Sequence, residues 1–371
     1  MRIGIIGAGQ LGRMLALAGY PLGLRFVFLD KSADAPGGQV GSIITGEFDD
    51  PVKLSELADA AGLVTFDVEN VPVEAVRDIA ARVPFLPSVR ALEAAQDRVA
   101  EKTLFEALAV PTPEFRRVDD AAGLREAADI IGYPCILKTR RLGYDGKGQH
   151  DLRSAADLEP AWKALGGVPL ILETRVPFEC EVSIIGVRSV RGESTCYPIS
   201  KNHHESGILH RSIAPFSAPE LQREAEQYLS RLFEHLDYAG VLTIEFFVCG
   251  GRLIANEIAP RVHNSGHWTI EGAVTSQFEN HIRGILGLPL GATNATGHAG
   301  MINFLGRLPP LEHVLAVPGA HYHDYGKQPR PRRKLGHCTV TATSAVERDR
   351  RIDQVLAIQS SSSSESAPAL Y

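Results

Sequence analysis

The chain has 371 residues, 44% hydrophobic, 22% charged and 7% aromatic, enough for two or three domains with cores of their own. Lysine and arginine number 38 against 44 aspartates and glutamates, a formal charge of −6, so the charge balance draws it neither to nucleic acid nor to an anionic membrane. Five scattered cysteines without CxxC spacing indicate neither a zinc site nor a disulfide framework and suit a reducing cytoplasm, and no apolar run is long enough to span a bilayer.

The first residues, Met1 to Gly7, are expected to enter a strand at once, without the layout of a signal peptide. Gly7-Ala8-Gly9-Gln10-Leu11-Gly12 then opens a helix predicted to run to about Ala18, and Arg25–Asp30 reads as a second strand ending in an acid. This is the dinucleotide-binding fingerprint, in which a helix N-terminus offers free N–H groups to an anion. Any phosphate-bearing ligand suits such a turn, and Asp30 serves equally as a loop cap. Strands at 42–44 and 63–66 and helices at 51–61 and 73–81 continue the α/β rhythm. Asp67-Val68-Glu69-Asn70-Val71-Pro72 follows the last of these strands, at the sheet edge where ligands bind. Glu69 is therefore either a ligand contact or a carboxylate favoured by a helix start.

From Val89 the pattern is helical; a helix beginning at Asp97-Arg98 runs to about Leu108 and ends at Val110-Pro111-Thr112-Pro113. A further helix covers 121–131. The strand Cys135-Ile136-Leu137 ends in Lys138, and Gly143, Gly146 and Gly148 follow. Glycines that let the backbone wrap a ligand, beside a lysine, suit triphosphate oxygens. The loop lacks the Lys-Ser/Thr ending of a Walker motif, and an exposed turn is the plain alternative. Leu170–Glu173 is a strand reaching Thr174-Arg175-Val176-Pro177-Phe178. Glu181 stands among the strand residues of 179–186, and a strand from Cys196 leads to Asn202-His203-His204. Residues 219–236 form an amphipathic helix.

Strands at 240–248 and 252–258 make a hairpin across Cys249-Gly250-Gly251. Glu245 and Glu257 both interrupt its apolar pattern. A buried carboxylate must be paired, protonated or metal-bound. Two in one hairpin suit Mg2+, a hard cation that takes carboxylate and phosphate oxygens; salt-bridged strand residues are the alternative. The polar run 260–268 leaves a buried strand and reads as a site rather than a linker. A helix near 276–286 precedes a linker. From about Gly300 the chain is β-rich and gathers Lys327, Arg330, Arg332, Arg333 and Lys334, either a solvated loop or a clamp for a phosphomonoester. Ser360–Ser364 opens a low-complexity tail, expected to be disordered.

Gly9-Gln10-Leu11-Gly12-Arg13-Met14, Asp67 to Pro72, Gly143 to Gln149, Asn256 to Thr269 and Arg333-Lys334-Leu335-Gly336-His337 together resemble the ATP-grasp carboxylate–amine ligases over about residues 1–345. The resemblance implies an α/β and α+β architecture. A Rossmann-like pre-ATP-grasp domain would cover 1–95, and a two-part ATP-grasp domain 96–292, with a lid subdomain at about 110–175. A small β-rich C-terminal domain (293–358) and a flexible tail (359–371) would complete it. The implied activity is ATP-dependent carboxylation of 5-aminoimidazole ribonucleotide by bicarbonate through carboxyphosphate, in de novo purine (IMP) biosynthesis. ATP and Mg2+ would be the cofactors of a cytoplasmic homodimer with no nucleic-acid or membrane partner.

Carried over position by position, the resemblance puts Arg98 and Lys138 on the ATP phosphates and folds Gly143, Tyr144, Asp145, Gly146, Lys147, Gly148 and Gln149 over them. Glu173, Thr174, Arg175 and Val176 would border the adenine, Glu181 would take the ribose hydroxyls, and His204 would lie nearby. Asn256 and Glu257 would meet the nucleotide, with Glu245 and Glu257 holding Mg2+. The ribonucleotide would be met by Gln10, Leu11, Glu69, Tyr144 and Asp145, by Arg261, His263 and Asn264, and by Lys327, Arg333 and Lys334. Arg261, His263 and Asp145 are the implied catalytic residues, Arg261 stabilising an anion and His263 accepting a proton. One departure stands out: Leu142 occupies a place where the family commonly has a second glycine, and its Cβ restricts the loop. Two alternatives remain, a formate-dependent glycinamide ribonucleotide transformylase of the same superfamily and an NAD-dependent oxidoreductase built on Gly7–Gly12. A non-catalytic nucleotide sensor is disfavoured, because every expected phosphate and metal group is present.

Overall fold

Ile3, Ile5 and Ile6 are wholly buried, so the strand Arg2–Ile6 takes the middle of a parallel sheet covered on both faces. Its order is Ser42–Thr45, Arg25–Asp30, Arg2–Ile6, Leu63–Phe66. The computed structural model describes residues 1–143 and 146–361; Tyr144, Asp145 and most of the serine-rich tail lie outside the described residues.

The glycine turn after the first strand is closed by the protein's own carboxylates. Gly7 has φ +93°, and a Cβ there would lie 1.8 Å from Asp67 Oδ1. Asp67 accepts a hydrogen bond from the Gly12 N–H (2.9 Å), and Asp30 accepts from the Ala8 N–H (2.7 Å). The helix Gln10–Gly19 then packs Leu11, Met14 and Leu15 into a core shared with Phe278, Ile282 and Ile285 of the helix Gln277–Leu286. The N-terminal sheet is thereby joined to the rest of the molecule by a common core.

A second sheet is antiparallel, in the order Phe115–Val118, Leu170–Thr174, Cys135–Thr139, Gln149–Leu152. The helices Ala121–Ile131 and Leu158–Leu165 cover it through Leu124, Ala127, Ala128 and Ala161, a core separate from the others. The glycine loop is the turn of its hairpin: Lys138 pairs with Gln149, so Gln149 belongs to a strand. Leu142 adopts φ +63° there, a backbone state that glycine takes without cost and a branched-chain residue does not.

The third sheet has nine strands. From one edge it runs Arg252–Ala259, Gly240–Cys249, Cys180–Arg188, Ser200–Glu205, Ile208–Ala214, His298–Leu305, Lys334–Ala342 and Ala320–Asp324, with Ser194–Cys196 beside Cys180–Arg188. The strands of the C-terminal segment extend this sheet, through pairs such as Arg211 with Ile302. The helix Pro219–His235 lays Leu221, Ala225, Leu229 and Leu232 against its apolar face. The helix Ala345–Ser361 reaches into the segment expected to be a tail from residue 359. There the Ser360 and Ser361 hydroxyls donate to the carbonyls of Leu356 and Ile358.

Gly7→Ala should destabilise the protein by about 1–3 kcal/mol or more, because it combines positive φ with a clash against the Asp67 carboxylate. The shift in the urea unfolding midpoint measures it.

Candidate active site

A cavity of about 530 Å3 opens where the glycine hairpin, the edge of the nine-stranded sheet and the carboxyl ends of the parallel strands meet. Its walls bring together Gln10, Leu11, Glu69, Arg98, Lys138 and Gly143 from the first half of the chain. Gly146, Lys147, Gln149, Glu181 and His204 join them, as do Glu245, Asn256, Glu257, Arg261, His263, Asn264 and Lys334. Gly148, Glu173, Thr174, Arg175, Val176, Lys327 and Arg333 do not line it. The Thr174 and Arg175 N–H groups bond the carbonyls of Glu114 and Pro134, and Arg333 donates to the Gln328 carbonyl (3.0 Å). Lys327 lies behind the wall, with its Nζ on Gln10 Oε1.

Glu173 lies beneath the floor rather than in it. It is 1% exposed, 2.7 Å from Lys138 Nζ and 4.0 Å from Lys102 Nζ. Burial alone would raise its pKa; the charges of Lys102, Lys138 and Arg98 outweigh that and hold it at about 2. Glu173 thus fixes Lys138, whose ammonium lies at the cavity wall. The base of the hairpin is fixed as well. Asp97 caps the helix Arg98–Ala107 through the Val99 N–H (3.0 Å) and takes a two-point contact from Arg140 (3.0 and 2.7 Å).

Glu245 and Glu257 face each other across the hairpin of strands Gly240–Cys249 and Arg252–Ala259. Burial raises the pKa of Glu245 to about 7; the charges of Glu257 and Glu181 add to this, and His204 opposes it. Arg98 Nη1 lies 3.4 Å from Glu257. Among the described residues no three His, Cys, Asp or Glu side chains converge into a complete metal cage. Two carboxylates on one wall, completed by phosphate oxygens, nonetheless fit Mg2+, which needs few protein ligands.

On the sheet side, His204 Nδ1 is 2.7 Å from Glu181, reached at a bulge between His203 and His204 that turns it to the cavity. Arg261 Nε pairs with Glu69 (3.0 Å). His263 Nδ1 is 2.8 Å from the Ser265 hydroxyl and 3.3 Å from the Ser265 N–H, while its Nε2 lies 3.6 Å from Glu245. Accepting from that N–H leaves the proton on Nε2. Burial, then Arg261 and Lys334, push the His263 pKa well down, so the ring is neutral. Asn264 and Asn303 exchange amide hydrogen bonds of 3.0 and 2.7 Å, which fixes Asn264.

Several functional residues escaped sequence reasoning. Phe178 and Phe247 stack at 4.8 Å on the cavity wall. Glu101 and Lys102 read as ordinary first-turn helix residues, yet they are 2% and 0% exposed. Asp67 reads as a loop residue and is the acceptor inside the glycine turn.

The chain matches the ribonucleotide synthetase preATP-grasp domain over residues 1–96, the ATP-grasp domain over 103–278 and the phosphoribosylaminoimidazole carboxylase C-terminal domain over 299–351. Fold and site together define an ATP-grasp ligase. It is 51% identical to N5-carboxyaminoimidazole ribonucleotide synthase of Pseudomonas aeruginosa, over 96% of this chain and 99% of the relative. The N5-carboxyaminoimidazole ribonucleotide synthetase of Thermus thermophilus superposes with a TM-score of 0.93 at 52% identity, covering 96% of this chain and 98% of that one. The Aspergillus clavatus N5-carboxyaminoimidazole synthase, solved with ADP and 5-aminoimidazole ribonucleotide, superposes with a TM-score of 0.91 at 29% identity, covering 97% and 98%. The chain belongs to the N5-carboxyaminoimidazole ribonucleotide synthase family.

The buried turn has a pH signature. Burial raises the Asp67 pKa from 3.8 to about 6, while the Gly12 N–H opposes the rise. The folded protein therefore holds this proton more tightly than the unfolded chain does, and stability is lost as pH rises from about 4 to about 6. Asp67→Asn keeps an acceptor for Gly12 without the charge. Denaturant titrations should show the variant gaining on wild type by about 3 kcal/mol between pH 4 and pH 7, with no further gain above.

Proposed function

We propose that the protein carboxylates the exocyclic amine of 5-aminoimidazole ribonucleotide with bicarbonate, driven by ATP, as a step of purine biosynthesis. The observation that carries this is a single cavity where Arg98 and Lys138, the Glu245–Glu257 pair, and Arg261 with Lys334 face one another. A nucleotide triphosphate and a second phosphorylated substrate can meet there, and the Aspergillus relative was solved with ADP and 5-aminoimidazole ribonucleotide.

A bicarbonate oxygen attacks the γ-phosphorus, the bond to ADP breaks, and carboxyphosphate forms. The amine nitrogen then bonds to the carboxyl carbon, phosphate leaves and the amine gives up a proton, so the products are the carbamate, ADP and phosphate. Little covalent work falls to the protein; it aligns oxygens and offsets charge. Arg98 and Lys138 meet the phosphates, and Glu173 keeps Lys138 from wandering. Mg2+, when bound at Glu245 and Glu257, supplies charge neutralisation at the transferring phosphoryl group. Arg261 stabilises the bicarbonate or carboxyphosphate anion. His263 presents an Nε2–H, so it acts as a donor in this state rather than as the proton acceptor first expected. Phe178, Phe247 and Ile136 give flat apolar surface for the adenine. The described part of the glycine loop borders the site through Gly143, Gly146 and Lys147, where it would keep water from carboxyphosphate. Lys327 and Arg333 serve the ribonucleotide phosphate from behind the wall, next to Lys334.

The oxidoreductase reading is not favoured. Two N–H groups of the glycine turn, those of Ala8 and Gly12, already bond Asp30 and Asp67, whose carboxylates would repel a pyrophosphate. A cytoplasmic homodimer is the assembly the family likeness implies, and sedimentation of the purified chain tests the dimer.

With Mg·ATP, ADP release should require both 5-aminoimidazole ribonucleotide and bicarbonate. Formate with glycinamide ribonucleotide should give none; release with that pair instead would make the protein a transformylase. Lys138→Ala should lower turnover about 10²–10³-fold while the circular dichroism spectrum stays that of a folded protein. Near-normal turnover would remove Lys138 from the phosphate site.

A further inference from the structure

The strand Arg252–Ala259 does something a regular strand cannot. Side chains alternate between faces, so neighbours in sequence point opposite ways. Here Leu253 and Ala255 are buried and Ile254 is half-buried, yet Asn256 and Glu257 in succession are both half-buried before Ile258 and Ala259 are buried again, and residues 256–259 all border the cavity. The cause is a bulge. Glu257 pairs with Glu245 and Ala255 pairs with Phe246, which leaves Asn256 as an extra residue.

A bulge disrupts the ladder and leaves backbone groups in need of partners. The helix Arg98–Ala107 supplies them from two adjacent residues. Lys102 Nζ donates to the Asn256 carbonyl (2.6 Å) and the Ala255 carbonyl (3.2 Å). Glu101 Oε1 accepts from the Ile258 N–H (2.6 Å). Thr112 Oγ1 adds a bond to the Ala255 carbonyl (3.1 Å). A lysine and a glutamate with 0% and 2% exposure are costly to bury, and both commit their polar atoms to three consecutive peptide groups and one carboxylate, Glu173.

We propose that Glu101 and Lys102 are positioning residues for the proposed metal and phosphate chemistry: they hold the Asn256 bulge in the form that turns Asn256 and Glu257 together into the site. Lys102 also reaches Glu173, so the same ammonium sets Lys138 on the opposite wall relative to the bulge. Glu101 borders the cavity floor and Lys102 lies beneath it, but the polar atoms of both are committed to backbone groups and to Glu173. The effect of the pair passes through backbone groups, as outer partners of metal ligands commonly act. This inference rests on the reading of the site as an ATP–metal centre.

The test uses the full chain with Glu101→Gln, which keeps an acceptor oxygen for Ile258, Glu101→Met, which does not, and Lys102→Met. Mn2+ binding in the presence of saturating ADP is read by electron paramagnetic resonance of free Mn2+, metal-free ADP binding by calorimetry, and ADP release separately. Glu101→Met and Lys102→Met should weaken Mn2+ by about tenfold or more, with Glu101→Gln within about threefold of wild type. Metal-free ADP affinity in Glu101→Met should fall by less than Mn2+ affinity does, because the hydrogen bond of Glu101 goes to the bulge and not to Arg98 or Lys138. Unchanged Mn2+ affinity in Glu101→Met, or Glu101→Gln as weak as Glu101→Met, overturns the inference. Should the methionine variants fail to fold, Thr112→Val loosens the same carbonyl; Mn2+ must then weaken while metal-free ADP does not, and no change overturns the clamp. Wild type that binds Mn2+ with ADP yet releases no ADP with both substrates would instead sink the proposed reaction and leave the clamp standing.

Discussion

Glu173, held between Lys102 and Lys138, is the interaction on which the rest of the site depends. Its surroundings would protonate it if it stood alone, and the two ammonium groups keep it ionised. Removing one partner of such a buried set strands a charge and costs about 3–5 kcal/mol. Three pieces of structure come to rest on it. Lys138 belongs to the hairpin of the four-stranded antiparallel sheet, Lys102 to the helix Arg98–Ala107, and through that helix the bulged strand of the large sheet is held. The four-stranded antiparallel sheet has its own core, and polar contacts such as this one and the Arg140–Asp97 pair tie it to the body. Further along the loop, Gly146 comes against the Ser206–Gly207 turn so closely that a Cβ would meet the Ser206 carbonyl at 2.9 Å.

The fold was legible where hydrophobic period and chemistry agreed. The parallel strands are short apolar runs between turn signals, and the helix Pro219–His235 shows its buried stripe at every turn. It was less legible where a strand carries polar residues outward. Phe115–Val118 holds two arginines in four positions and pairs only along one edge, so its period is weak without its neighbour Leu170–Thr174. Site residues followed the same logic. Glu245, Glu257 and Glu181 stand out because a carboxylate interrupts an apolar strand. Glu101 and Lys102 do not, because acid and base in the first turn of a helix are ordinary; only the packed structure shows that neither sees solvent. The register shift that brings Asn256 beside Glu257 has no local signal at all, since it is a property of two strands.

The glycine turn shows why a short motif underdetermines its ligand. Gly7, Gly9 and Gly12 allow a close approach to the helix N-terminus, and the sequence pattern is that of a dinucleotide site. In this fold the approach is made by Asp67, which fills the space a Cβ at Gly7 would need and takes the Gly12 N–H. Part of the dipole at the helix start is thus met from within, through Gly12. What the turn retains is Gln10, at the first helical position, pointing to the cavity and to Lys327.

That last contact ties the two ends of the chain. Burial lowers the Lys327 pKa to about 8, with Arg333 pushing it the same way and Asp67 opposing. An ammonium so placed is poorly solvated, near other cations, and short of negative charge of its own. Asp67 and Asp30 are the nearby anions, but Asp67 is itself raised to about 6 and both already accept from the glycine turn. A dianionic group arriving beside Gln10 would therefore meet, in Lys327, a cation that the protein leaves undercompensated. Binding energy from such a remote phosphate is what a ligase can apply to aligning the reacting amine, because the charge it satisfies does not change during the reaction.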